Sequence, residues 1–335
     1  MTTTRPRVMP TMSTAVMAAE SPTKPARTPA RSRLADYLEL TKPRIATMAL
    51  ITVGVGYSLG AAPGFHVDQL IHTLIGAGLV AAGGSALNHW LERRADARMN
   101  RTSNRPLPAG RVSSTEVFAF GSILAVVGVV YLAVVLPSPA AAIVAALTFF
   151  MYVAIYTPLK RYTTWNTVVG AIPGALPPVI GWCAARGSVS PEGWSLFAVL
   201  FVWQLPHFYS IAWMHREDYA RGGMKMLPVL DRADGRLTGW TTFGTALVLL
   251  AITAAPFAVG AAGWLYLVGG MTLGIWFLIK CWNFANRRTQ INARKVLRGS
   301  LVYLCGVMAL LVINGVVPKY LDSQKPAADR VNSDD

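Results

Sequence analysis

Along most of the chain, apolar runs of about 20 residues alternate with shorter polar segments. As a helix, a run of that length crosses the hydrocarbon core of a bilayer and satisfies its own backbone hydrogen bonds there. Nine such runs are read, at 45–62, 70–90, 115–136, 138–156, 165–184, 194–214, 239–258, 261–280 and 298–316. The long polar stretches fall at 91–113, 157–164, 215–238 and 281–297, and the other connections are brief. The pattern predicts an all-α integral membrane protein of nine transmembrane helices. No soluble domain interrupts it, so the expected organisation is a disordered basic tail at 1–34, one membrane domain at 35–317 and a polar tail at 318–335.

Composition agrees with this reading. The chain is 53% hydrophobic and only 14% charged, against about 25% charged in an ordinary soluble domain. A net charge of +15 raises the question of nucleic acid, but its distribution argues against that partner. Six Lys or Arg lie in 91–113, two at Lys160 and Arg161, five in 215–238, six in 280–298 and eight before residue 45. The alternate short loops hold only Arg186. That asymmetry places the N-terminus and every basic loop in the cytoplasm, and nine spans then put the C-terminal tail outside. The first 33 residues have one acid, Glu20, and no apolar core of signal-peptide type, so the first span is expected to do the targeting. A bacterial inner membrane is the main expectation. A mitochondrial transit peptide has a similar composition, which keeps the mitochondrial inner membrane as the alternative. Cys183, Cys281 and Cys305 form no disulfide framework or metal motif.

Backbone breakers sit inside two spans. "AIPGALPPVIGW" holds Pro173, Pro177 and Pro178, and Pro206 precedes His207. Proline removes a helix hydrogen bond, which a membrane tolerates where neighbours or cavity water satisfy the freed carbonyl. Kinked helices around a cavity are one reading, and kinks that only shape packing are the other. The long loops after the second and sixth spans also hint at a weak internal repeat.

One polar stretch carries chemistry. In "NHWLERRADARMNRTSNRPLPAGR", Asn88, Glu92 and Asp96 are four residues apart. Side chains at that spacing drift only about 40° per step around a helix, so all three share a face at the cytoplasmic end of the second span. One or two carboxylates plus substrate phosphates are the usual ligands of Mg2+. Arg98, Arg101, Arg105 and Arg111 offer forked donors suited to phosphate oxygens. Acids and bases side by side make sense if a metal bound to a phosphate lies between them. A snorkelling basic loop with surface ion pairs is the alternative.

The pattern N-x3-E-x3-D followed by "RTSNRPLPAGR" resembles the first acidic motif of the UbiA-type intramembrane prenyltransferases, in particular the branch that farnesylates haem b. Further matches are "LTKPRI" at 40–45, "YTPLKRYTTWNTVVGAIPGALPPVIGW" at 156–182 and "WQLPHFYSIAWMHREDYARGGMKMLPV" at 203–229, so the likeness covers about 35–316. It implies nine transmembrane helices around a central cavity capped by cytoplasmic loops, with Mg2+ and a prenyl diphosphate held between two acidic motifs. Asn88, Glu92 and Asp96 then stand as catalytic and metal-binding residues, Glu92 where many relatives have Asp. The second motif departs from the common D-x3-D. Aligned on Gly223 and "MLP", His215 and Tyr219 occupy the acid positions, with Glu217 and Asp218 between them. The haem branch likewise has an acid followed by Tyr there. Glu217 and Asp218 are the metal candidates of this motif, with Asp218 also catalytic and Tyr219 in contact with substrate.

By the same analogy Lys42, Arg44, Arg101, Arg105, Lys160 and Arg161 hold the diphosphate, although Lys42 with Arg44 and Lys160 with Arg161 could also be simple membrane anchors. His207, in the apolar run "WQLPHF", is a candidate haem contact. Its alternative is a histidine bonded to a neighbouring helix. His89 is set aside, because it lies about 100° around the helix from Asn88. The implied reaction moves farnesyl from farnesyl diphosphate to a vinyl group of haem b, with addition of water, giving haem O. The implied partners are farnesyl diphosphate, haem b, membrane lipid and a haem A synthase or oxidase-assembly protein. A quinone-precursor prenyltransferase is the runner-up. A transporter is the rival class, disfavoured because the acids gather at helix ends and not at the bilayer midplane.

Overall fold

The computed structural model describes residues 1–2, 32–61, 64–231 and 234–315. Most of the expected N-terminal tail and all of the C-terminal tail therefore fall outside the described residues. The described chain builds α1 (Arg33–Leu40), α2 (Pro43–Ala61), α3 (Val67–Asp96), α4 (Ser114–Val135) and α5 (Ala140–Phe150). A π-helical turn, Met151–Tyr156, carries α5 into the short α6 (Thr157–Leu159). Then follow α7 (Asn166–Ala175), α8 (Pro177–Arg186), α9 (Pro191–Met214), α10 (Arg216–Gly222) and α11 (Leu227–Leu230). The last elements are α12 (Arg236–Ile252), α13 (Ala255–Ala258), α14 (Trp264–Asn286) and α15 (Gln290–Gly315). Among the described residues no strand occurs, and nine helices are long and apolar enough to cross a membrane.

The expected spans hold, with shifted ends. The second runs on to Asp96, so the whole acidic motif is helical. The last begins at Gln290 and not at 298: Arg294, Lys295 and Arg298 are good helix formers, and their charged heads remain exposed while the helix continues beneath them. The fifth span breaks at Leu176, just before Pro177 and Pro178, which open α8. Pro206, by contrast, lies inside an unbroken α9.

Small residues set the closest helix contacts, as expected where apolar lipid gives no hydrophobic drive for association. A Cβ on Gly56 of α2 would lie 1.9 Å from the Pro178 carbonyl oxygen, and one on Gly181 of α8 would lie 1.9 Å from the Val53 carbonyl oxygen. Gly83 of α3 likewise fits against the backbone of Gly121 and Ala125 on α4. The outer faces carry exposed Ile123, Val126, Val130 and Val134 on α4 and Val268, Ile275 and Ile279 on α14, the faces a lipid tail would cover. Glycine contacts thus hold α2 against α8 and α3 against α4, while α9, the sixth span, packs against α12 and α15.

Candidate active site

Asn88, Glu92 and Asp96 line one side of the last two turns of α3, at 1%, 6% and 0% exposure. Three cations from three other segments meet them. Lys42 Nζ donates to Asn88 Oδ1 at 2.6 Å, Lys160 Nζ to Glu92 Oε1 at 2.7 Å and Arg105 Nη1 to Asp96 Oδ2 at 2.8 Å. The cluster holds two carboxylates against three basic side chains, so with all three protonated a surplus of positive charge remains for an anion. Asp96 Oδ1 is buried with no hydrogen-bond partner.

Local structure explains how each cation arrives. Lys42 has φ +48°, a left-handed backbone rare outside glycine. With Thr41 it forms the two-residue corner between α1 and Pro43, and proline disfavours an ordinary helical conformation just before it. Such strain persists where the surroundings fix it, often at functional sites. Lys160 is placed by the π-helical turn. Thr157 Oγ1 donates to the Tyr152 carbonyl at 2.8 Å and accepts from Asn88 Nδ2 at 3.1 Å. One turn of chain farther, Lys160 Nζ sits 4.5 Å over the Tyr156 ring. Arg105 belongs to the 97–113 loop, which is folded back by Thr102 Oγ1 donating to the Asp96 carbonyl at 3.0 Å. Arg111 Nε ties the same loop to Asp36 of α1 at 2.8 Å.

The second motif closes over the first. Asp218 Oδ1 accepts from the Asn100 backbone N–H at 3.0 Å and pairs with Arg221. Arg98 donates to the Gly222 carbonyl at 3.3 Å, and Arg101 lies 5.9 Å over the Tyr219 ring. The Lys225 N–H donates to the Lys160 carbonyl at 2.7 Å, and Asn166 Nδ2 donates to the Lys225 carbonyl at 2.9 Å. The loops after the second, fourth and sixth spans therefore form one cap.

Burial, with Arg105 and Lys160 nearby, pushes the Lys42 ammonium down to about 7. Burial also opposes the charge on Lys160, but Glu92 outweighs it and holds that ammonium well above its usual value. Slight burial raises Asp218, yet Arg221 and the Asn100 amide hold its carboxyl below the ordinary range.

Not every expected residue joins this cluster. Glu217 and Arg44 are exposed, and Arg161 is an exposed side chain donating to the Leu91 carbonyl at 3.0 Å. Among the described residues no group of three His, Cys, Asp or Glu side chains converges as a metal cage. His207 stands apart on α9, its Nδ1 2.8 Å from Ser300 Oγ of α15 and its ring stacked on Trp203 with centroids 4.9 Å apart. The bond to a neighbouring helix is thus present. It occupies one ring nitrogen and leaves the other.

Thr157, Tyr156, Asn166 and Ser300 escaped the sequence reading. The first three lie inside the matched stretch 156–182, where proximity to Lys160 was the available signal; Ser300 gave none. His89 is 2% exposed with neither ring nitrogen partnered.

Residues 49–310 match the UbiA prenyltransferase family. The chain belongs to the UbiA prenyltransferase family. Among curated relatives it is 46% identical over 290 residues to the protoheme IX farnesyltransferase of Solibacter usitatus, covering 83% of this chain and 98% of that one. It is 44% identical to the protein of that name from Salinibacter ruber, over 83% and 98% of the two chains. Among solved UbiA-type folds, a digeranylgeranylglyceryl phosphate synthase structure superposes with TM-score 0.71 at 17% identity, covering 84% of this chain and 98% of that one. A UbiA homolog from Archaeoglobus fulgidus bound to GPP and Mg2+ superposes at 0.60 with 16% identity, over 82% and 99%. At those identities the solved structures establish the UbiA fold alone.

Proposed function

We propose that this chain transfers the farnesyl group of farnesyl diphosphate to a vinyl group of haem b, with addition of water, giving haem O. The observation that carries this reading is the match to proteins named protoheme IX farnesyltransferase over nearly their whole length. The charged face of α3 supports it.

The residues present fit Mg2+. Asp96 Oδ1 is an open, buried, anionic acceptor, and Glu92 and Asn88 place further hard oxygens on the same face. One or two carboxylates do not complete a Mg2+ shell, so the diphosphate oxygens would supply the rest. Bound there, the ion would neutralise charge on the departing diphosphate. Asn88, Glu92 and Asp96 would hold it, with Asp218 as the second-motif candidate and Glu217 pointing to solvent. Lys42, Lys160 and Arg105 then have a further task. They release their present partners in part and turn to the diphosphate, where fixed cations stabilise negative charge as the C–O bond breaks. The electron-rich vinyl group captures the allylic cation, and water adds to the cation left on the haem side, its surplus proton leaving to the released diphosphate or to solvent. The apolar interior keeps water from the first cation. His207 contacts haem.

The basic loops are read as cytoplasmic, where a prenyl diphosphate and Mg2+ are available, in a bacterial inner membrane. The product would pass to a haem A synthase or an oxidase-assembly partner. The test is the haem content of membranes from cells expressing the chain, separated by chromatography. Haem O should accumulate above the vector control. Unchanged haem with a prenylated quinone precursor would establish the runner-up instead.

A further inference from the structure

Ser300 is fully buried on α15 and holds two side chains of α9. Its main-chain carbonyl accepts from Trp203 Nε1 at 2.7 Å, and its hydroxyl oxygen lies 2.8 Å from His207 Nδ1. A serine hydroxyl has a single proton; donating it to the Leu297 carbonyl, 2.7 Å from Oγ, is the arrangement that leaves both close contacts of Oγ hydrogen-bonded. With its proton committed, Oγ can only accept from the ring, so Nδ1 carries the hydrogen. A neutral imidazole then keeps its lone pair on Nε2. Among the described residues Nε2 has no hydrogen-bond partner, and the side chain is only half-buried. The ring plane is set by Trp203, stacked at 4.9 Å and 27°, and by the edge of Phe208 at 5.5 Å.

We propose that Ser300 is a positioning residue: it locks His207 in the Nδ1–H tautomer and so presents the Nε2 lone pair as a ligand to the iron of the haem substrate. The inference rests on the reading of His207 as a haem contact. With the opposite tautomer, Nε2 would carry a hydrogen and could not coordinate iron. Hydrogen bonds to the non-ligating nitrogen fix orientation and raise basicity, and losing one costs on the order of ten- to a hundredfold in metal affinity.

Two readouts test this in the full-length protein in nanodiscs. Histidine-selective 15N spectra of the haem-free protein report the tautomer, with His207→Ala assigning the signal. Spectral titration with haem b reports affinity. Ser300→Ala removes the acceptor, leaves the carbonyl that holds Trp203, and suits a helix interior. Ser300→Thr restores a hydroxyl that can still bond a preceding carbonyl. The expected result is an unprotonated Nε2 in the native protein, lost in Ser300→Ala together with about tenfold or more of haem affinity. Ser300→Thr should regain both. A native signal showing Nε2–H overturns the proposal, as does native haem affinity in Ser300→Ala when His207→Ala has lost it. If His207→Ala itself binds haem normally, the ligand assignment falls, and the 15N spectra show separately whether Ser300 sets the tautomer.

Discussion

Glu92 and Lys160 meet at 2.7 Å with side-chain exposures of 7% and 13%, so neutralising one takes from the other its direct ion-pair partner in a buried setting. Removing one member of a buried pair costs about 3–5 kcal/mol, while replacing both is often neutral. Lys160→Met should therefore lower the thermal unfolding temperature markedly, and adding Glu92→Gln should recover most of the loss. Neither variant should transfer farnesyl, because each lacks a charge assigned to the proposed diphosphate site. Thermal melts in detergent beside a turnover assay check this; a Lys160→Met protein as stable as the native one would mean that Glu92 has another counter-ion. At this scale the sequence was informative where spacing does the work. Four-residue steps put Asn88, Glu92 and Asp96 on one face, and the face is there. Which cation meets which oxygen was not legible, because Lys42, Arg105 and Lys160 come from segments brought together only by tertiary packing.

Helix contacts and breaks govern the next scale. Gly181 of α8 lies against the α2 backbone, where a Cβ would fall 1.9 Å from the Val53 carbonyl oxygen and 2.7 Å from the Tyr57 nitrogen. Backbone cannot move aside as a flexible side chain can. Gly181→Ala should cost at least the roughly 1–3 kcal/mol of an overpacked core. Gly244→Ala on α12, with nothing within 4 Å of its Cβ position, should be neutral or stabilising by up to about 1 kcal/mol from helix propensity. Unfolding temperatures of the two variants check the pair, and equal behaviour would refute the close α2–α8 approach. The proline-rich stretch announced a break, found at Leu176, whereas Pro206 is accommodated within α9. The π-helical turn that delivers Thr157 and Lys160 was invisible, since "MYVAIY" is an ordinary apolar run without a breaker.

For the whole molecule, the account requires the loops 91–113 and 215–238 to share one compartment, and the contacts from Asn100 to Asp218 and from Arg98 to Gly222 join them directly. Span count and loop charge were legible in the sequence because both follow from hydropathy. Ser103→Cys and Asp234→Cys, each in a background with Cys183→Ala, Cys281→Ala and Cys305→Ala, should resist an impermeant thiol reagent in intact cells. Both should react in inside-out vesicles, and labelling of one from outside would separate the motifs by a bilayer. The central claim is that these loops catalyse farnesyl transfer to haem b. Its most direct measurement is single-turnover product analysis on the purified chain in nanodiscs with farnesyl diphosphate, haem b and Mg2+, resolved by chromatography and mass. The account predicts haem O from the native protein, none after chelation of Mg2+, and a fall on the order of a hundredfold in Asp96→Asn at unchanged expression. Haem b recovered unaltered by a folded native protein, or undiminished haem O from Asp96→Asn, would contradict it.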